Sequence, residues 1–356
     1  MKKLVTLTAA SALLGLGALS LSSQALATEL QVSTWAGPNH GVNTIVWPTW
    51  ANWVEEATEG RVTVNVVHDM GPPGAQMDLI ADGVADATWL FHGLMPGRFE
   101  LTKLPELPTF EEFSSEAASV AYWRTHHEYF AEAGEHRGVE LIGLGVHGPG
   151  TLFLREGIDD LDDLANKRVR IGGGIMADIS GALSLSGVAL PPGGTYEAAT
   201  QGVIDGAMLT LEGLRSFRLA EVLPYTVEMP GGFYRGSFSL VMNPDTWASL
   251  SDEDREAIAS VSGERLSRLF GYMMDVVDVR GVEFAREQGN TFIELPDAEV
   301  ERFKAMAAEL PDQWVAEAAR RDVDGSGALA HFREQLERAA EEPGMGPEDV
   351  VDNSAM

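Results

Sequence analysis

Three stretches of the chain carry residue types at spacings that chemistry uses. Gly172-Gly173-Gly174-Ile175-Met176-Ala177 matches G-x-G-x-x-A between a strand pattern and a helix pattern. In that arrangement glycines let backbone N–H groups approach a pyrophosphate, but one match is a weak signal and also suits a plain strand-to-helix turn. Asp322-Val323-Asp324-Gly325-Ser326-Gly327 opens like a calcium loop, yet Arg333 occupies the twelfth position, where a bidentate carboxylate is needed. A cation there opposes calcium, so the segment reads as a loop capping the last helix. Eight histidines include the adjacent His126 and His127, without H-E-x-x-H or another zinc spacing. The pair falls in a helix with Tyr122, Trp123 and Tyr129, which predicts one packed and one exposed imidazole. With no cysteine and no G-x-S-x-G elbow there is neither a thiol nucleophile nor a serine one of that type. Acidic residues are so frequent that no acid–base pair stands out. No cofactor, no metal and no catalytic set are expected: the residues point to a protein that binds and does not transform.

The elements that must position a binding site alternate. Glu29–Thr34 reads as a strand running into the Gly37-Pro38-Asn39 turn. Trp47, Trp50, Trp53 and Val54 then recur at helical spacing, with Pro48 near the start and Gly60 past the end. Arg61–Val67 alternates as a second strand, Met77–Val84 is a short amphipathic helix, and Ala85–Phe91 is an apolar strand. After His147-Gly148-Pro149-Gly150 the pattern restarts. Strands are predicted over Thr151–Arg155, Arg168–Ile171, Ala207–Leu211 and Phe238–Met242. A helical turn falls at Leu161–Leu164, with helices over Met176–Ser186 and Tyr196–Gln201. From Ser251 the chain reads as almost wholly helical, with one helix running to about Glu287. Strand–helix–strand units build a mostly parallel sheet covered by helices. The expectation is an α/β fold of two lobes.

Charge and export narrow the function. The formal net charge is −29, which disfavours nucleic acid and anionic membrane surfaces, since both need clustered Lys and Arg. The acidic residues are spread through the chain, as in a protein adapted to high salt. Lys2 and Lys3, the apolar run Leu4–Leu21 and the small-x-small exit Ala25-Leu26-Ala27 form a secretory signal pattern with cleavage after Ala27. The mature chain is expected in the periplasm, without membrane insertion.

Family resemblance follows from the ordered segments. Asp160-Leu161-Asp162-Asp163-Leu164-Ala165-Asn166-Lys167-Arg168-Val169-Arg170-Ile171 resembles the "D-L-k-g-l-k-i-R-v" segment of TRAP (tripartite ATP-independent periplasmic) transporter solute receptors. Leu185-Ser186-Gly187-Val188 is similar to their "l-G-a" turn. Tyr196-Glu197-Ala198-Ala199-Thr200-Gln201-Gly202-Val203-Ile204-Asp205-Gly206 is similar to their "E-v-y-x-a-l-q-x-G-v-v-D-G". In the first lobe, Val54–Val62 resembles "v-e-e-k-T-g-G-r-v", and Asn243–Ser251 resembles the lead into the family's long helix. The likeness spans essentially the whole mature chain.

The resemblance implies two α/β lobes of the periplasmic binding protein fold, with a long helix crossing both. It implies lobe I over 28–147 plus about 236–277, and lobe II over 148–235 plus about 278–340. A signal peptide over 1–27 and a flexible acidic tail over 341–356 complete the layout. It further implies capture of a small organic solute by lobe closure and delivery to the membrane subunits of a TRAP permease. The arginine of the "k-i-R-v" strand pairs with the ligand carboxylate in that family, and here it is Arg170. A planar guanidinium suits this task because it offers two parallel charge-assisted hydrogen bonds.

The chain also departs from the family pattern. Many relatives carry a second arginine upstream, where this chain reads His147-Gly148-Pro149-Gly150-Thr151, with Arg155 nearby but offset. Relatives place an Asn shortly after "D-G", where this chain has Met208-Leu209-Thr210. The pocket is therefore expected to be more apolar or to read a different headgroup. Trp35, Trp89, Phe91, Phe233 and Tyr234 follow strand ends or turns, and Leu209 stands at the lost Asn position. These join Arg170 and Arg155 as candidate ligand contacts. A carboxylate-bearing solute is the leading expectation. The alternatives are an amine or zwitterion with Glu212 or Asp205 as counter-charge, a sensory receptor with the same site, and a periplasmic enzyme on the same two lobes.

Overall fold

A computed structural model describes residues 27–354; all but the last residue of the expected signal peptide lie outside them. Eleven strands form two sheets. The first orders β2-β1-β3-β10-β4, from β1 (Thr28–Thr34), β2 (Val62–His68), β3 (Ala87–Phe91), β4 (Glu140–Val146) and β10 (Ser237–Met242). The second orders β11-β9-β5-β8-β6-β7. It consists of β5 (Gly150–Leu154), β6 (Arg168–Ile171), β7 (Ser186–Ala189), β8 (Gly206–Thr210), β9 (Tyr225–Glu228) and β11 (Thr291–Glu294). In each sheet one strand runs against its neighbours: β10 between β3 and β4, and β5 between β8 and β9. The other pairings are parallel, as the strand–helix alternation requires.

The helix Trp47–Ala57 forms where the tryptophan spacing places it, with Pro48 in its first turn and Trp47, Trp50, Trp53 and Val54 buried. Helix Glu264–Glu287 is the spine of the molecule. Its apolar stripe includes Leu266, Leu269, Phe270, Met273, Met274 and Val277, and all are buried. Near its start the Ser267 hydroxyl accepts from Leu144 N–H of β4 at 2.8 Å. Toward its far end Ala285 joins Phe153, Leu214 and Leu219 in a separate core beside the second sheet. The helix thus spans both sheets. Gly281 lets it pass close to the chain after β8, since a Cβ there would overlap the Leu211 carbonyl oxygen.

Several expectations are corrected. The helix drawn continuously from Ser251 is broken: Asp252–Ser260 ends, Gly263 takes φ +62°, and its N–H bonds Ile142 O at 2.7 Å before Glu264–Glu287 begins. Only glycine holds that conformation cheaply, and the turn fastens the helix to β4. The seven-residue strand β4 and the short strands β7, β9 and β11 lie outside the sequence reading, and β7 begins at the predicted end of the helix that stops at Ala182.

Helices Leu310–Ala319 and Gly325–Glu341 stand against the first lobe, not the second: Trp314 Nε1 donates to Glu100 O, and His331 Nδ1 lies 3.1 Å from Thr125 Oγ1. The tail expected to be loose is tied to that lobe. Glu342 pairs with Arg124 and Arg268, Asp352 with Arg280, and Val351 N–H donates to Thr49 Oγ1. Asp324 caps the last helix by accepting from Gly327 N–H at 2.9 Å, the role expected of the calcium-like loop. No helix among the described residues is long and apolar enough to cross a membrane.

Candidate functional site

The carboxyl ends of the parallel strands β1, β3, β6 and β8 face one another across the two sheets, the position where open α/β sheets bind ligands. Trp35 follows β1. Trp89 and Phe91, two apart on β3, project to one face, and Phe238 of β10 pairs in register with Phe91. Trp35 stacks on Trp89, with ring centroids 4.0 Å apart and planes 12° from parallel. Phe238 lies 5.1 Å from Phe91 and 5.6 Å from Trp89. From the second lobe come Arg170 on β6, Leu209 and Thr210 on β8, Glu212 and Phe217 just beyond it, and Tyr234 on the return crossing. Gly150 makes room for Tyr234: the two form an antiparallel bridge, and a Cβ on Gly150 would overlap the phenol ring. Together with His40, His147, Met176, Pro192 and Met274, these residues line one cavity.

Arg170 is 1% exposed, although it carries a charge. Its Nε donates to Leu190 O at 2.8 Å and its Nη1 to Met208 O at 2.9 Å, which fixes the guanidinium plane. Its Nη2 has no partner among the described residues. Burial lowers its pKa to about 10, which leaves it cationic at neutral pH. A buried cation with one edge unused is costly unless an anion completes it. The same burial pushes the neighbouring Tyr234 hydroxyl upward, so the phenol stays protonated.

His147 lies in the segment that the sequence reading marked as lacking the second arginine of the family pattern. Its Nδ1 lies 2.6 Å from Gly148 O and 3.3 Å from Gly236 N, and burial drops its pKa to about 4, so the ring is neutral at neutral pH. His40 accepts from Val42 N–H on Nδ1 at 3.2 Å, which puts its proton on Nε2, 3.3 Å from Glu212 Oε1. Burial pushes Glu212 upward, but His40, the Ser216 hydroxyl and His147 more than offset this, and the carboxyl sits below its ordinary range.

Six of the eight sequence candidates meet in this cavity: Arg170, Trp35, Trp89, Phe91, Leu209 and Tyr234. Two do not. Phe233 points the opposite way from Tyr234, as neighbours on extended chain must, and packs edge-on against Phe303 at 4.9 Å. Arg155 follows β5, which runs antiparallel to β8, so it lies at the opposite end of the sheet from the cavity and holds the Ala199 carbonyl. Asp205 is at the same end, in a salt bridge with Arg168 at 2.6 Å, and is no counter-charge for the cavity. His40 and Phe238 were not singled out in the sequence. For His40 the one available signal was its place just after the Gly37-Pro38-Asn39 turn that ends the first strand. The glycine run at 172–174 packs against the Gly93 backbone of the first lobe, and a Cβ on Gly173 would overlap Gly93 O.

Comparison with known proteins gives consistent matches. The family described as "Bacterial extracellular solute-binding protein, family 7" matches residues 32–318. The chain is 30% identical over 326 residues to the "Outer membrane transporter protein TsaT" of Comamonas testosteroni, covering 90% of this chain and 95% of that protein. A TRAP periplasmic solute-binding protein from Bordetella bronchiseptica, solved with bound (R)- and (S)-mandelate, superposes with a TM-score of 0.85. It shares 32% identity and covers 87% of this chain and 99% of its own. A TRAP solute-binding protein from Rhodoferax ferrireducens, in complex with copurified benzoate, gives a TM-score of 0.82 at 27% identity, with 88% and 99% covered.

Proposed function

Because the chain belongs to the bacterial extracellular solute-binding proteins of family 7, we propose that it is the periplasmic receptor of a TRAP transporter for a small aromatic carboxylate. The single observation that carries this reading is the unused edge of Arg170, buried among Trp35, Trp89, Phe91, Tyr234 and Phe238. A carboxylate meets that edge with a charge-assisted hydrogen bond, and the flat walls suit a ring. An aliphatic acid would satisfy the guanidinium and leave the aromatic walls poorly filled. The two similar structures above hold mandelate and benzoate, each an aromatic carboxylate.

In this reading Arg170 anchors the acid, and Trp35, Trp89, Phe91, Leu209 and Tyr234 form the walls. The chain is exported by cleavage after Ala27. The lobes, built on residues 28–147 plus 236–277 and on 148–235 plus the strand at 291–294, close over the solute and hand it unchanged to the permease. Isothermal calorimetry with benzoate and mandelate tests the assignment, alongside short aliphatic acids and amines. Aromatic acids are expected to bind the wild type, and Arg170→Ala is expected to abolish binding while circular dichroism stays unchanged. Binding of amines alone, or an unaltered affinity in Arg170→Ala, would refute it.

A further inference from the structure

Thirteen buried side-chain polar atoms lack a protein partner among the described residues, and two of them belong to residues that line the ligand cavity: Arg170 Nη2 and Glu212 Oε2. The first can only donate and the second, as a carboxylate, can only accept. They do not satisfy each other, since the guanidinium bonds the main-chain carbonyls of Leu190 and Met208 and Glu212 sits against His40. Glu212 is 3% exposed. Its own N–H is fixed by Asp278 Oδ1 at 2.7 Å, which anchors the residue to the spine helix. The Val42 N–H donates to His40 Nδ1, which turns Nε2 toward Glu212 Oε1 and fixes the orientation of the carboxylate.

From this pairing we propose that Glu212 is the second polar anchor of the pocket, and that the ligand is an aromatic acid bearing an O–H or N–H donor away from its carboxylate. The inference rests on the reading of Arg170 as the carboxylate end. An acceptor group at Arg170 and a donor at Glu212 would give both of these atoms a partner. A ligand without the donor leaves Glu212 Oε2 without a partner, and sites built to pair such an atom discriminate against analogues that cannot. Trp89, 5.3 Å from the His40 ring, and Phe217, 5.8 Å from it, keep this end of the cavity narrow, which makes the position of the donor on the ring selective.

The test is calorimetry on the wild type with benzoate and phenylacetate, their hydroxy and amino ring isomers, and the methyl ethers of the hydroxy isomers. At least one donor-bearing isomer is expected to bind about tenfold or more tighter than its parent, and its methyl ether to lose that gain. The hydroxy and amino arms identify which donor is read. In Glu212→Gln the preference for that isomer over its unsubstituted parent is expected to shrink by roughly fivefold or more, and an unchanged ratio would overturn the assignment. If that variant fails to fold, the wild-type series decides alone. Parents or methyl ethers that bind as tightly as every donor-bearing isomer overturn the Glu212 assignment and leave the aromatic-acid reading standing. Failure of all the acids, parents included, overturns both.

Discussion

Trp35 lies flat on Trp89, and its indole N–H donates to the Trp89 main-chain carbonyl at 3.1 Å. Trp89 in turn donates its own indole N–H to Thr34 Oγ1 at 3.1 Å, one residue before Trp35. The two rings and two hydrogen bonds lock the ends of β1 and β3 together and make a rigid aromatic wall. Rigid walls lose little freedom when a ring docks on them.

Trp35→Ala is therefore expected to weaken an aromatic acid by about 0.5–1.5 kcal/mol beyond the loss of contact area. An aliphatic acid, which gains nothing from stacking, should change less. Calorimetry with a matched aromatic and aliphatic pair checks this, and equal losses for both would sink the stacking role.

Arg170→Lys keeps a positive charge at the same place but loses the planar fork that bonds two carbonyls and still offers a third edge. An affinity loss of at least about tenfold is expected, which corresponds to about 1.4 kcal/mol. Retention of wild-type affinity by the lysine variant would mean that net charge, and not the fork, holds the ligand.

Gly281→Ala should destabilise the protein by about 1–3 kcal/mol, because the added methyl meets the Leu211 carbonyl where the spine helix crosses the chain after β8. Alanine is the better helix former by up to about 1 kcal/mol, so the sign of the effect separates the two influences. A urea unfolding curve with a higher midpoint than wild type would contradict the close approach.

The buried histidines should cost the fold stability in acid. Burial lowers the pKa of His92 to about 3 and those of His126 and His147 to about 4, against 6.5 for an ordinary histidine. Between about pH 4 and 6.5 the unfolded chain therefore binds protons that the native chain does not, and stability falls as pH drops through that window. Glu106 opposes this. Burial raises its pKa to about 7, so between about pH 4.5 and 7 it holds a proton only in the folded state and gains stability as pH falls. Burial also pushes the Glu116, Glu135, Asp275 and Asp278 carboxyls upward and His136 downward, so the histidine contribution is read as a difference. On going from pH 7 to pH 5, His126→Gln is expected to lose less stability in denaturant unfolding than the wild type. Equal losses in the two proteins would show that His126 is not held neutral by burial.

Salt should stabilise the chain, since its formal net charge of −29 repels itself and the Debye length shrinks from about 10 Å at 0.1 M to about 3 Å at 1 M. The midpoint of thermal unfolding is expected to rise with added sodium chloride. Precipitation or a falling midpoint would count against adaptation to high salt.

The sequence by itself determined the strand–helix units of an extracellular solute-binding protein, and the family resemblance marked Arg170 on one of its strands. Those properties are written locally. The tryptophan period of Trp47–Ala57, the strand Arg168–Ile171 and the positions of Trp35, Trp89 and Phe91 at strand ends are legible because neighbours in sequence set them. Short strands such as β7 and β11 carry too few residues to show a period, and the break at Gly263 depends on a carbonyl of β4 that no local pattern reveals. What only the tertiary structure decided is which candidates share one cavity. Phe233 and Tyr234 are adjacent in sequence, yet they point to opposite sides of one extended segment. Arg155 was lost to the site because β5 runs backwards. His40 and Glu212 are remote in the chain and close in space, and their pairing exists only because the two lobes bring the ends of β1 and β8 together.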